Sequence, residues 1–536
     1  MAEPPPHEPS PAGPGADTRA VPAGAGRPSY WLTRFLVLRL LGLVYLVAFL
    51  GLALQLRPLL GQDGLLPVQQ YLGRLAEALG SRGAGFARVP SLFWIDASDP
   101  VLVGAAWAGA GMALVVLLGF ANALLMLLLW ALYMSFVHVG QTWYGFGWEI
   151  QLLETGFLAV FLCPLVDPRP FPRLPPPAPV FWLLRWLIFR IMIGAGLIKL
   201  RNDPCWRDLT CLDYHYETQP IPNPLSRALH FMPRWTHKAG VLFNHASELV
   251  APWFAFWPRV ARHLAGGVLL LFQVLLILSG NLSFLNWLTI VPILACFDDS
   301  LLRHVLPRRL AARAERAAGA ARPSPAHRFA VGLLVMIVAA LSIAPVRNLL
   351  SSQQAMNTAF DRFELVNTYG AFGTVGRERH EIILEGTQDS VITEHTVWKE
   401  YEFKCKPGDP SRRPCWRSPY HQRLDWLMWF AAMSTPDQYP WTVHLVWKLL
   451  HNDPAVVGLL AGNPFPDAPP RRVRAELYRY EFLRAGDPSG DWWRRTRLGP
   501  WLPALGADDP RLRSFLAAHG WLPATGHGQR PGDRAL

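Results

Sequence analysis

The sequence predicts a multi-spanning all-α membrane bundle of five to seven spans, followed by a C-terminal luminal α+β domain. Three observations carry this reading. Hydrophobic residues make up 51% of the chain against 17% charged. Several uncharged apolar runs reach the roughly 20 helical residues that cross a bilayer core. The last third of the chain holds no such run, and its polar segments alternate in the manner of short strands.

Residues 1–29 are rich in Pro, Ala and Gly and bury nothing, so a disordered cytosolic N-terminus is expected. The first apolar run, Trp31 to Leu56, is too long for a signal-peptide core and reads as an uncleaved anchor. Arg19, Arg27, Arg34 and Arg39 surround its start and hold that side in the cytosol. Val101 to Val139 is too long for one span, with a break expected near Gly119-Phe120-Ala121-Asn122. Ile150 to Val166 follows, containing Glu154, and then a Pro-rich connector over 167–179. Val180 to Leu200 is the next span. A polar loop opens at Arg201, and the apolar-aromatic stretch Val241 to Trp257 after it reads as interfacial or re-entrant. Leu264 to Ala295 is read as one span interrupted at Ser279-Gly280-Asn281. The membrane domain so defined covers 30–346, with a luminal loop over 201–262 and a basic cytosolic loop over 299–328. The last span runs from Phe329 to Val346.

Parity then fixes the two sides. The N-terminus and the segment with Arg303, Arg308, Arg309, Arg313, Arg316, Arg322 and Arg328 both belong in the cytosol by the positive-inside rule. An even number of crossings separates them, and residues 347–536 finish in the lumen. The cysteine pairs Cys205/Cys211 and Cys405/Cys415 land on that same side, where two structural disulfides are expected. Closing the 405–415 loop should add about 2–3 kcal/mol. Within 347–536, His380 to Leu384, Trp398 to Phe403, Leu477 to Phe482 and Trp492 to Arg497 read as strands. His421 to Met433 and Trp441 to His451 read as helices. In the second helix Val443, Val446, Trp447 and Leu450 form one stripe, with His444 and Lys448 facing away.

The formal net charge is +12, but the basic residues sit between apolar runs rather than in an aromatic-interleaved patch, which argues against nucleic acid. No serine has the Gly-x-Ser-x-Gly setting of a lipase or esterase. The zinc-protease and phosphate-loop patterns are missing as well; no cofactor or metal is expected. Cys-x5-Cys and Cys-x9-Cys are too widely spaced for a redox pair built on Cys-x-x-Cys. An ionised group inside a bilayer costs at least ~2.5 kcal/mol unless paired, so Arg190 calls for a partner. Glu154 is first choice, Glu149 second, with Gly194-Ala195-Gly196 allowing close helix approach. A competing reading makes Arg190, Glu154 and Lys199 the working groups of an integral-membrane enzyme or transporter. Asn281-Leu282-Ser283 is a formal glycosylation sequon set inside an apolar run.

Several strings are long and Trp-rich enough to carry a resemblance. Trp143-Tyr144-Gly145-Phe146-Gly147-Trp148-Glu149, with Leu152-Leu153-Glu154-Thr155-Gly156-Phe157-Leu158 after it, resembles the lipase maturation factors. So do Arg185 to Lys199, Cys205-Trp206-Arg207-Asp208-Leu209-Thr210-Cys211, Tyr216 to Pro220, Ser279 to Leu288, Asn367 to Gly373, Tyr401 to Cys415 and His421 to Ala432. The likeness covers roughly residues 30–500 and is nearest the first of the two vertebrate types. It implies five spans and an endoplasmic-reticulum membrane factor with its client-handling region in the lumen. Its implied role is non-enzymatic maturation of secreted dimeric lipases: lipoprotein lipase, hepatic lipase and endothelial lipase. Luminal chaperones or oxidoreductases and membrane lipids are the further partners expected. A luminal aromatic surface that shields unpaired lipase subunits would draw on Trp426, Trp429, Phe430, Trp492 and Trp493, for each of which core burial is the competing fate.

Overall fold

A computed structural model describes residues 28–523; the opening segment expected to be disordered lies, through residue 27, outside the described residues. Helix α1 (Trp31–Leu60) is apolar on every face, as a segment without a water-facing side must be. The side chain of its own N-cap residue, Tyr30, does not cap the helix. The Asp299 carboxylate accepts instead from the Trp31 and Leu32 amides, each at 2.9 Å. It supplies the missing acceptor and a negative charge at the positive end of the helix dipole. The same contact brings the chain start and the arginine-rich segment to one end of the bundle, the basic end.

Helix α2 (Asp99–Leu118) runs antiparallel along α1. A Cβ on Gly42 would come within 2.7 Å of the Leu117 amide nitrogen, and Gly109 makes room for the Phe49 ring. Inside lipid, close backbone approach of this kind is what drives helices together. Gly119, at φ +123°, turns the chain where the break was expected. Asn122 then caps α3 (Ala123–Val139) by accepting from the Leu125 amide. Helix α4 (Gly147–Val160) returns to the basic end, where the Phe161 carbonyl meets His327 at 3.0 Å. Helix α5 (Ala178–Asn202) rises again, with Arg185 bonded to the Tyr30 hydroxyl and the Ala295 carbonyl.

Two expectations are corrected here. Residues 201–262 do not stay on one side of the bundle. After α6 (Arg234–His245), a π turn at Ala246–Val250 and 3-10 turns to Phe256 lead the chain back down α5. Lys199 meets Glu248, Trp253 meets Phe189, and Phe256 stacks on Trp182. The chain then reaches the basic end, where Arg259 and Arg262 bind Asp298. Only the first half of that stretch is polar, and the apolar second half packs along α5 with Val250, Trp253 and Trp257 exposed on its outer side. Likewise 264–295 is a hairpin of α7 (Arg259–Ser279) and α8 (Leu285–Ile293), turning at the polar Gly280 and Asn281. Each correction adds a return leg, so the N-terminal residues and the basic segment still share an end. Helices α9 (Arg308–Gly319) and α10 (Pro325–Leu341) follow.

Among the described residues, five helices could cross a membrane by length and composition: Trp31–Leu60, Asp99–Leu118, Ala178–Asn202, Arg259–Ser279 and Pro325–Leu350. Counting the bent pair Leu285–Cys296 with Asp299–Val305 as one broken span makes six. The other legs are shorter and packed among these.

Over the opposite end lies an antiparallel sheet. Its strands are β1 (Arg379–Thr387), β2 (Lys399–Tyr401), β3 (Arg472–Phe482) and β4 (Trp493–Leu505), in the order β2-β1-β3-β4. Ile382 faces Leu477, Leu384 faces Tyr401, and Tyr480 faces Arg495 across the ladders. Between β2 and β3 come α11 (Arg423–Ala432), which packs on β1, and α12 (Trp441–Leu450). The stripe expected on α12 is too narrow. His444 is buried, with Nδ1 2.9 Å from the Leu65 carbonyl and its ring stacked on Trp521, because the chain leaving α1 covers the face expected to be open.

Gly42→Val is expected to force α1 away from α2 and cost about 1–3 kcal/mol, the usual toll of overpacking. Gly111→Val, where an added Cβ meets nothing within 4 Å, should leave the melting temperature nearly unchanged. Thermal unfolding followed by size-exclusion chromatography checks both.

Candidate functional site: buried ion pairs beneath an aromatic cavity

Arg190 lies midway along α5 and Glu154 midway along α4, and the two are paired with side chains 1% exposed. Segment 367–369 completes the cluster. The Asn367 carbonyl accepts from Arg190 at 2.5 Å. Glu154 accepts from the Asn367 amide at 3.0 Å and the Tyr369 hydroxyl at 2.7 Å. Gly194, one turn further along α5, faces the Tyr369 backbone, a position any larger residue would block. Charge and countercharge are therefore both buried, and chain from beyond the last long helix supplies partners to both.

Glu149, the second-choice partner, belongs to a separate cluster that sequence reasoning did not assemble. It pairs with Arg423 of α11 at 2.9 Å and accepts from Trp148 Nε1 at 2.9 Å and from the Tyr133 hydroxyl. The Arg423 guanidinium lies 3.4 Å from the Tyr144 ring centroid, a cation–π contact. Gln55 of α1 adds a neutral tie by accepting from the Arg423 amide at 3.0 Å. Lys199 pairs with Glu248 and donates to Asn244. Each of Arg190, Glu154 and Lys199 is thus engaged by a partner. Their only signal in the sequence was charge inside apolar runs, which said that partners exist without saying which.

At the sheet end, Cys205 is bonded to Cys211 and Cys405 to Cys415. The Asp425 carboxylate caps the second loop, accepting from the Cys405 and Lys406 amides, and burial raises its pKa. Arg379 donates to the carbonyls of Glu217, Gln219 and Pro220. Glu381 beside it also holds Lys406 at 2.8 Å. Asn281 of the sequon is 4% exposed, donates to the Cys415 and Pro222 carbonyls and accepts from the Arg417 and Ser418 amides. A glycan has no room there.

The aromatic candidates separate into two sets. Trp426 and Trp493 are buried, the latter stacked on Phe482, which removes them from the outer surface; Trp426 backs the cavity described next. Trp429 and Phe430 are partly exposed and line a cavity between the α7–α8 hairpin, α5 and α11. Trp492 lies at the far edge of the sheet, under the Arg227 guanidinium.

This geometry defines a multi-span membrane protein whose C-terminal sheet and helices are tied to its bundle through buried charge. The lipase maturation factor transmembrane domain model matches residues 32–304, and the lipase maturation factor C-terminal domain model matches 365–503. The chain is 49% identical to "Lipase maturation factor 1" of Bos taurus over 96% of each sequence. With the protein of that name from Homo sapiens it shares 48%, covering 96% of this chain and 95% of the human one. "Lipase maturation factor 2" of Gallus gallus is more distant, at 30% over 91% of this chain and 83% of that protein. No solved structure matches. The chain belongs to the lipase maturation factor family.

Arg190→Met is expected to strand the Glu154 carboxylate and cost about 3–5 kcal/mol, whereas adding Glu154→Gln should recover much of that loss. Melting temperatures of the two variants in detergent test the pair. Burial also lowers His215 and His444 to about 4; the neighbouring Lys199 pushes His215 further the same way. Both stay neutral when folded but take a proton near pH 6.5 when unfolded, so the unfolded chain binds more protons between those values and stability falls with pH. At pH 5 each should cost about 2 kcal/mol relative to pH 7. A His215→Phe, His444→Phe chain should lose less of its melting temperature on acidification.

Proposed function

We propose that this chain is an endoplasmic-reticulum membrane factor required for the folding, assembly and export of active secreted dimeric lipases. It acts as a non-enzymatic maturation factor. Lipoprotein lipase, hepatic lipase and endothelial lipase are the proposed clients, with luminal chaperones or oxidoreductases as helpers. The observation that carries the reading is near-end-to-end identity of about one residue in two with proteins named for lipase maturation.

The proposed orientation rests on the two ends of the bundle. Arginines of the 303–328 segment and the start of α1 share one end, the natural cytosolic side. The disulfides and the sheet occupy the other, which suits an oxidising lumen. The sheet-bearing region is the proposed client-handling part, with Trp429, Phe430 and Trp492 as its accessible aromatics.

Cells lacking the protein should secrete inactive lipoprotein lipase, and the full chain should restore activity. Equal secreted activity with and without the chain contradicts the role. A glycosylation sequon placed at residue 390, beside the exposed Val391, should be modified. An unmodified site in well-expressed protein overturns the orientation.

A further inference from the structure

The cavity beneath Trp429 and Phe430 has a volume of about 330 Å³, within the range of sites that hold small molecules. Its walls are Met192 of α5, Phe272 and Leu276 of α7, and Leu285 of α8, with the two aromatics of α11 above. The exposed Met356, Asn357 and Thr374 mark an open side. The hairpin wall is thin. Leu271, Leu275 and Leu278 of α7 are exposed on its outer face, where a helix long and apolar enough to span a bilayer meets lipid.

Neutral polar groups punctuate this apolar wall. Gln151 donates to Thr289 at 3.1 Å, and Asn286 donates to Gln273 at 2.9 Å. Glu248 is the charged residue of the lining, and Lys199 and Asn244 already engage it. A phosphate or carboxylate head would therefore meet no free cation in this lining. Two buried atoms of lining residues lack a partner within the protein: Gln151 Oε1, an acceptor, and Trp426 Nε1, a donor. Unpaired buried groups of this kind are costly. A hydroxyl answers both types, since it donates and accepts through one oxygen.

We propose that this cavity binds one single-chain lipid with an uncharged, hydroxyl-bearing head, the class to which monoacylglycerols belong. The chain lies along Met192, Phe272, Leu276 and Leu285 beneath the α11 aromatics. The head reaches the Gln151 amide with its Thr289 hydroxyl partner and the Gln273–Asn286 amides. The lipid is drawn from the surrounding bilayer past the α7–α8 hairpin.

The test uses the full chain in phosphatidylcholine nanodiscs with 1-palmitoylglycerol carrying a diazirine in its chain, irradiated and mapped by peptide mass spectrometry. Label is expected on peptides containing Met192, Phe272 or Trp429. Excess unlabelled 1-palmitoylglycerol should remove it, and palmitoyl-lysophosphatidylcholine should not. Gln151→Leu and the cavity-filling Ala195→Phe should each reduce competable label roughly tenfold, the effect of about 1.4 kcal/mol. If either variant fails to elute as wild type, the competition on the wild-type chain decides. Label that no competitor removes, label confined to Leu271, Leu275 and Leu278, or equal competition by the lysophospholipid overturns the proposal. So does wild-type labelling in a well-folded Gln151→Leu chain.

Discussion

The pairing of Arg190 and Arg423 with two glutamates of α4 is the constraint from which the rest of the architecture follows. A guanidinium cannot shed its charge, so each arginine, once buried, needs a carboxylate and enough acceptors for its donors. Glu154 and Glu149 lie more than a turn apart on one helix, and each recruits chain from beyond residue 347: segment 367–369 in one case, the first turn of α11 in the other. Helix α4 is therefore pinned from two directions. The sheet rests on the bundle through contacts in which breaking one side strands a charge on the other.

That arrangement gives stiffness. Every charged group at the junction is held by a partner of opposite sign or by several amides, and the aromatic rings over it are packed against one another: Phe146, Trp148, His421 and Trp426 form a contiguous stack of edges and faces. A platform of this kind can present a surface to a partner without deforming. The open cavity beside it is the exception to this close packing, and neutral amides line it where the rest of the junction is ionic.

The elements within each segment were legible in the sequence; their partnerships were much less so. Apolar runs bounded by Gly119, Asn122 and Pro164 announced their own breaks, and the strands at 380–384 and 477–482 showed in β-branched and aromatic residues. Arg190 demanded a partner simply by lying in a span, and Glu154 was the nearest acid by depth. Arg423 gave no such signal: it opens a helix read as apolar nearly all round, and hence buried or membrane-facing, without any named partner, and only the fold reveals that it plugs into the bundle at Glu149. The return leg through 246–256 was obscured for a related reason. Its backbone is π and 3-10 rather than one regular helix, so its apolar residues never form a span-length pattern. The same local reading placed Asn281 in a sequon, although its amide serves as the hinge between the hairpin and the Cys405–Cys415 loop.

The shared end of the chain start and the arginine-rich segment survives these misreadings because legs were missed in a pair. Asp299 capping α1 requires the chain start and the arginine-rich segment to lie together, whatever the number of legs between them. Hydrogen exchange on the full chain in nanodiscs tests the central constraint most directly. Peptides from α4 (147–160) and α11 (423–432) should be comparably slow in the wild type, and both should quicken together when Arg423 is replaced by Met. If α11 exchanges rapidly in the wild type, or quickens alone while α4 stays protected, the sheet region is a separate unit and the account is wrong.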